Sequence, residues 1–201
     1  MAKRGLDLMV GSLALVLVSP AFLLCMLAVW VESGSPVLFK QTRLGLNGKL
    51  FKMLKFRSMF VNSADIRNAD GSTYNGRTDP RVTRVGSWLR KFSLDELPQL
   101  INVMRGDMSI VGPRPDLPDA INHYRDQDHI RLSVMPGITG WAQIHGRNSL
   151  SWEHRRDLDC EYVRSRTLWM DMRIIFHSFP VVLLGRGIYF EGPEKGHGGA
   201  F

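Results

Sequence analysis

The chemistry-bearing stretch is Lys91-Phe92-Ser93-Leu94-Asp95-Glu96-Leu97-Pro98-Gln99-Leu100. Two adjacent carboxylates, Asp95 and Glu96, stand among basic residues: Arg81, Arg84, Arg90 and Lys91 before them, Arg105 and Arg114 after. Positive charge on both sides favours ionised carboxylates and attracts anions, which points to phosphate handling. A carboxylate attacking phosphorus must overcome charge repulsion, and Mg2+ is the usual help. One acid would then attack while the other holds the metal. A plainer account treats Ser93-x-x-Glu96 as a capping box, with Asp95 complementing the helix dipole. Pro98 weighs against it, because proline belongs at the first helical positions and would stand too deep in a helix capped by Ser93. The two acids then lie at or just outside the helix end, where free backbone N–H groups face an anion.

Other residues could join this chemistry. Along Leu50–Arg57 the period-two rule puts Lys55 and Arg57 on one face, as a phosphate grip or as two solvated charges. Arg114 sits between Pro113 and Pro115, in a stiff turn that reduces the entropy lost on binding, and its planar fork suits phosphate oxygens. Arg90 adds positive charge close to the acids. Residues 135–148, with Gln143, His145 and Arg147, are rich in glycine, which permits close backbone approach to a ligand. Phe92, His145, Arg147 and Trp152 are candidates for the lining of a pocket. Asp159 follows Arg155 and Arg156 by four and three residues and reads as half of a surface ion pair.

The same inventory excludes other chemistries. Gly45-x-x-Gly48-Lys49 is not a phosphate-binding P-loop, since Arg43 stands where the first glycine belongs and Leu50 replaces Ser/Thr. The six His show no metal-ligand spacing. Cys25 and Cys160 are isolated, so a reducing compartment fits better than a disulfide framework or a zinc site.

The elements that must position these residues begin with an apolar run from Leu6 to Val31, long enough to cross a bilayer core of about 30 Å. A signal peptide is a poor fit, because the run is long and no clear cleavage site follows. Ser19-Pro20 interrupts the run, and an interior proline removes a helix hydrogen bond and forces a bend. Lys3-Arg4 precede the run and Lys40, Arg43, Lys49, Lys52, Lys55 and Arg57 follow it, and basic flanks prefer the cytoplasmic side. A helix bent at Ser19-Pro20 that leaves by the leaflet it entered satisfies both ends; a straight span remains the alternative. The +7 net charge lies wholly in residues 1–117, with 16 Lys/Arg against 9 Asp/Glu, so that part should meet an anionic partner.

Downstream, Val37 to Arg57 reads as a β-hairpin turned at Asn47-Gly48. Asn62 to Arg81 reads as a polar loop. Leu97, Leu100, Ile101 and Met104 have helical spacing, stopped at Arg105-Gly106. Asp119–Leu132 reads as a solvated helix and Ser149–Arg164 as another. Residues 169–184 suit either an interfacial helix, with Trp169, Arg173, Arg186 and Tyr189 at the boundary, or a buried one. Residues 192–201 read as a loose tail.

Five segments in order carry a resemblance: Lys55-Phe56-Arg57-Ser58-Met59, Ser93-Leu94-Asp95-Glu96-Leu97-Pro98-Gln99, Arg105-Gly106-Asp107-Met108-Ser109, Val111-Gly112-Pro113-Arg114-Pro115 and Pro136-Gly137-Ile138-Thr139-Gly140-Trp141-Ala142-Gln143. Together they resemble the bacterial sugar transferase family, the monotopic phosphoglycosyl transferases of the short PglC type. The resemblance implies transfer of a sugar 1-phosphate from a UDP-sugar to undecaprenyl phosphate, with release of UMP. It implies Asp95 as the nucleophile that forms a covalent phospho-sugar, Glu96 as the Mg2+ ligand, and Arg114 and Asp159 as active-site residues. Lys55, Arg57, Arg90, Gln143 and Arg147 are added as binding candidates.

The expected fold is α+β and mostly helical. Residues 1–35 form the re-entrant membrane helix bent at Ser19 and Pro20, residues 36–190 a cytosolic catalytic domain with a small β-hairpin and amphipathic interfacial helices, and 191–201 the tail. The expected site is the cytoplasmic face of the bacterial inner membrane. Expected partners are the UDP-sugar, undecaprenyl phosphate, membrane lipids and other glycan-assembly enzymes. Two competitors stand beside this: a membrane-anchored basic protein that binds anionic lipid or nucleic acid without catalysis, and an enzyme using Asp95 as a general base in a ternary complex. The first lacks aromatics interleaved with its basic stretches and any nucleic-acid motif, so no nucleic-acid partner is expected.

Overall fold

In the computed structural model, which describes residues 2–66, 74, 76 and 78–183, the apolar run forms one helix, α1 (Ala2–Ser33), with Pro20 inside it. Proline 20 cannot donate to Val16, four residues back, and the Ser19 hydroxyl donates to that carbonyl instead at 2.8 Å. Among the described residues α1 is the one helix long and apolar enough to cross a membrane. Met9, Leu13, Val16, Leu17, Leu23, Leu24 and Val31 are exposed, an apolar surface far beyond what a water-facing helix carries.

Two lengths of α1 nevertheless pack on the rest of the chain. Near its start Gly11 lies against Met104 and Val103, so close that a Cβ there would meet the Met104 sulfur at 3.3 Å. Near its end Cys25 and Val29 join Phe56 and Leu89 in a small buried cluster. The end of the helix is held by Arg57, whose Nη2 donates to Ser33 O, Ser33 Oγ and Gly34 O at 2.6, 2.8 and 2.8 Å. A buried cation at a helix C-terminus satisfies carbonyls that no intrahelical donor reaches.

Strands β1 (Leu38–Leu44) and β2 (Leu50–Phe56) form the expected antiparallel hairpin, Leu44 opposite Leu50. Asn47 and Gly48 both take positive φ (54° and 74°), as the turn type demands, and Leu46 O accepts from Lys49 N at 3.1 Å. Of the polar loop that follows, 67–73, 75 and 77 lie outside the described residues. Its far end is pinned by buried Arg81, which donates to Asp79, Ala64 O and Tyr74 O. Helix α2 (Arg84–Lys91) is capped by Thr83, whose side chain accepts from Gly86 N at 2.9 Å. A 3-10 turn over Leu94–Glu96 leads to α3 (Gln99–Arg105), which stops at Gly106 with φ 89°.

The main core gathers Met53, Val103, Met108, Val111, Tyr162 and Ile174 from β2, α3, its exit, β3 (Ser109–Val111), α5 (Trp152–Ser165) and α6 (Leu168–Leu183). Strand β3 pairs in parallel with β4 (Gly137–Thr139), a second two-stranded sheet that the sequence pattern does not announce. The glycines read as room for a ligand serve this contact instead. A Cβ on Gly137 would stand 2.1 Å from Gly112 N, and one on Gly140 would stand 2.3 Å from Gly112 O. Helix α4 (Trp141–Ile144) follows at once.

Residues 119–132 are not one solvated helix. Two 3-10 stretches, Pro118–His123 and Asp126–Ser133, bury Asp128 and Arg131. The ion pairs Arg125–Asp128 and Arg156–Asp128, at 2.8 and 2.9 Å, replace the regular helical bonds as the local tie. On α6 Trp169 is 73% exposed and Phe176 and Phe179 are also exposed, whereas Asp171 and Ile174 face inward. Arg186, Tyr189 and the tail lie outside the described residues.

Helix α2 reaches β2's exit only because residue 86 has no side chain: a Cβ there would lie 2.1 Å from the backbone oxygen of Ser58. Gly86→Ala should therefore lower stability by about 1–3 kcal/mol. Arg57→Met should cost about 1.5–3 kcal/mol through the lost α1 contacts. Thermal unfolding of the purified protein in detergent checks both; an unchanged midpoint for either variant would contradict the packing described.

Candidate active site

Glu96 is the fixed member of the carboxylate pair. Its Oε1 accepts from Arg114 Nη2 at 2.6 Å and from Lys55 Nζ at 3.2 Å, and its Oε2 from Arg114 Nη1 at 3.3 Å. The two partners arrive from distant parts of the chain: Lys55 from the last turn of β2, Arg114 from the Pro113–Pro115 turn that leaves β3. Burial works to raise the Glu96 pKa, but the facing charges of Arg114 and Lys55 outweigh it and hold the carboxyl well below its ordinary range. Lys55 itself is pulled down by burial, partly offset by Glu96.

Asp95 differs although it is the next residue. It is 8% exposed, and among the described residues no donor is bound to its carboxylate. Burial, and after it the charge of Glu96, raises its pKa against the pull of Lys55, Arg90 and Arg114. The basic neighbours lower both pKa values as expected, but at Asp95 burial outweighs them. Basic neighbours act on both, yet Glu96 takes the direct contacts and Asp95 is left with the cost of burial.

The capping box is absent. Ser93 takes a left-handed conformation (φ 54°) and its side chain makes no cap. Its hydroxyl instead accepts from Arg147 Nη1 at 3.1 Å, and Arg147 is itself left-handed at φ 53°. Strain at two facing non-glycine residues beside the acids is of the kind that functional sites keep. Glu96 N and Leu97 N donate to Ser93 O and Leu94 O, each at 3.2 Å, within the 3-10 turn.

The structure therefore brings together Asp95, Glu96, Lys55, Arg114 and Arg147. Arg90 adjoins them from α2, donating to Ser58 Oγ at 2.9 Å and acting on Asp95 electrostatically. Arg57 does not join. It lies one residue past β2's end and turns under the end of α1, so the shared face with Lys55 is lost where the strand stops. Gln143 is buried on α4 near Gly112 and Gly140, and its amide has no hydrogen-bond partner among the described residues. His145 and Trp152 pack elsewhere, against Trp141 and Arg156 respectively.

Asp159 is not at the surface. It is buried on α5 and accepts from Arg131 Nε and Nη2 at 3.1 and 2.9 Å, and burial lifts its pKa to about 6. Arg131 also donates to Asp116, to the Tyr124 hydroxyl and to Arg114 O. Asp159 thus reaches the site through Arg131, behind Arg114. Nothing in the sequence marks Arg131, an isolated arginine in a polar stretch. The other residue missed is Asn102, which ties α3 to β2 through Leu54 N and Lys52 O, each at 2.9 Å.

Adjacent carboxylates are the hard oxygen donors that Mg2+ accepts in ones or twos, together with substrate phosphate oxygens. No cluster of three His, Cys, Asp or Glu occurs among the described residues. Among these residues Asp95 has no bound donor and Glu96 Oε2 accepts only from Arg114 Nη1 at 3.3 Å, so the pair could offer a metal one or two oxygens but not an all-protein cage.

Comparison with known proteins places the whole described chain in one family. A family profile described as bacterial sugar transferase matches residues 1–185. The exopolysaccharide production protein ExoY of Rhizobium meliloti is 44% identical over 200 residues, covering 94% of this chain and 88% of that protein. The UDP-glucose:undecaprenyl-phosphate glucose-1-phosphate transferase of Escherichia coli is 45% identical over 182 residues, or 87% of this chain. The undecaprenyl-phosphate glucose phosphotransferase of Komagataeibacter xylinus is 42% identical over 200 residues, or 93% of this chain. The chain spans only 38% and 37% of the length of these last two. With the match running through α1, the carboxylate pair and the Arg114 turn alike, the chain belongs to the bacterial sugar transferase family.

Proposed function

We propose that this protein moves a sugar 1-phosphate from a UDP-sugar to undecaprenyl phosphate, releasing UMP, through a covalent intermediate on Asp95. The observation that carries the reading is the asymmetry of the pair, Glu96 clamped by Arg114 and Lys55 while Asp95 beside it stays uncommitted. The names of the relatives supply the substrates, UDP-glucose and undecaprenyl phosphate, as the chemical class.

In the first step an Asp95 oxygen attacks the sugar-bearing phosphorus, the bond from that phosphorus to the bridging oxygen breaks, and UMP leaves with the electron pair. Lys55, Arg114 and Arg147 hold three positive charges against two carboxylates, and the surplus offsets the diphosphate's charge. In the second step a phosphate oxygen of the lipid attacks the same phosphorus and Asp95 is released as carboxylate. Glu96 would hold Mg2+ through the lone pair that Arg114 and Lys55 leave free, and the ion would supply positive charge to the phosphate oxygens.

The membrane reading follows from the ends of α1. A straight helix of 32 residues measures roughly 48 Å. Arg4 and Gly11 near its start and Val29 and Ser33 at its end touch the same body that carries the acids. Such contacts support a helix that enters and leaves one leaflet, bent at Ser19 and Pro20, with α6 lying in the interface and the catalytic body on the cytoplasmic face of the inner membrane. The enzyme would then act at the first membrane step of polysaccharide assembly, beside other glycan-building enzymes.

Asp95→Asn should lower UMP release from UDP-glucose or UDP-galactose by about 10³-fold or more while membrane association persists. Protein incubated with sugar-labelled UDP-sugar before any lipid acceptor should carry the label, and Asp95→Asn should not. Turnover without trapped label would favour Asp95 as a general base, which its raised pKa also suits. Retained turnover in Asp95→Asn would remove it from either role. Cysteines placed at Lys3 and Lys40 should both react from the cytoplasmic side; labelling from opposite sides would refute the hairpin.

A further inference from the structure

An acid inside an apolar membrane helix is costly unless its oxygens are satisfied. Asp7 is such an acid, only 2% exposed. Its Oδ1 accepts from Ser109 Oγ at 2.8 Å and from Ile110 N at 3.0 Å. Strand β3 pairs with β4 on one side, where Ser109 N donates to Pro136 O at 2.8 Å. On the other side no strand is present among the described residues, and Asp7 supplies the acceptor for Ile110 N that a neighbouring strand would supply.

The neighbours of Asp7 on α1 reinforce this contact. Arg4 donates to Val103 O at 2.7 Å and Met104 O at 3.2 Å, the end of α3 opposite the carboxylate pair. Lys3 donates to Asp171 at 2.9 Å, and the Tyr162 hydroxyl donates to the same carboxylate at 2.6 Å. The first two turns of α1 therefore hold both elements that set the Glu96–Arg114 pair: α3, which continues from Glu96, and β3, which ends three residues before Arg114.

We propose that Asp7 is a positioning residue for Arg114, fixing β3 so that the guanidinium meets Glu96, and that it thereby couples the seating of the membrane helix to the site; this rests on the transferase reading above. Both hydrogen-bond donors share Oδ1, while Lys3 Nζ stands 3.9 Å from it and is bound more closely to Asp171, so the contact needs an acceptor oxygen at position 7 more than a charge. The Pro113 and Pro115 turn then carries the position of β3 to Arg114 with little slack. A displacement of about 1 Å at a reacting group can cost on the order of 10²-fold in rate.

The test uses the full chain in nanodiscs. Asp7→Asn, which keeps the acceptor, should release UMP within threefold of the native rate. Asp7→Leu, which has none, should fall at least tenfold in kcat. In an Arg114→Ala background, taking its residual rate as reference, Asp7→Leu should fall less than twofold further. The same loss in both backgrounds, a native rate in Asp7→Leu, or an equal loss in Asp7→Asn would each overturn the proposal. If Asp7→Leu does not fold, Ser109→Ala, which removes one of the two donors, should show the same dependence on Arg114 with a smaller loss, and additivity there would overturn the proposal equally. Amide hydrogen exchange over residues 109–114 should be at least tenfold faster in Asp7→Leu and native in Asp7→Asn, and unchanged exchange in Asp7→Leu would refute the clasp. That readout needs no turnover, so native protein that releases no UMP from any UDP-sugar would defeat the transferase reading alone.

Discussion

A buried carboxylate held by two cations from distant parts of the chain is the constraint that the other features answer to. Glu96 cannot remain ionised in its pocket unless Lys55 and Arg114 are both delivered to it, and neither is near it in sequence. The delivery explains the architecture. Asn102 fixes α3 to β2 and so brings Lys55 to Glu96, while the β3–β4 pair and its glycines carry the rigid turn that brings Arg114. Asp95 inherits its character from the same pocket. It shares the burial and the positive surroundings but not the bonds, so its oxygens are left available for the attack proposed above.

The second constraint is the bare apolar length of α1. A helix with so much exposed hydrocarbon is at home only in lipid, yet its polar residues are turned toward the catalytic body. Lys3, Arg4, Asp7 and Glu32 bind side chains or backbone groups of α6, α3, β3 and α2, the last through Val85 N. The helix is thus part of the framework of the site as well as an anchor. Under the proposed reaction a lipid and a water-soluble substrate meet at the height of the headgroups, and a helix seated on the body at both ends suits that.

Behind Arg114 lies a third layer, in which Arg131 binds Asp116, Tyr124 and Asp159 and reaches the Arg114 carbonyl. Removing Arg131 would leave both Asp116 and Asp159 without their closest counter-charge, so the cluster resists change at its centre. Asp159 belongs to this support, reaching Arg114 through Arg131 and away from the surface.

What the sequence alone determined were the features governed by neighbours in the chain. Asn47-Gly48 dictated the hairpin turn because both residues tolerate positive φ. Gly106 dictated the end of α3, and the apolar run dictated a helix suited to lipid. The adjacent acids among basic residues, with the proline-flanked Arg114, marked residues that the fold does bring together. Tertiary structure alone decided the rest. Lys55 and Arg57 are two residues apart and alike in charge, yet one reaches Glu96 and the other caps α1, because the strand ends between them. Asp159 looked like a surface partner of Arg155 and Arg156, but burial paired it with Arg131. The glycines of 137–140 looked like ligand space, but close backbone packing against Gly112 uses them. In each case a contact between residues far apart in the chain outweighed the local pattern, and local spacing carries no information about which distant group will arrive.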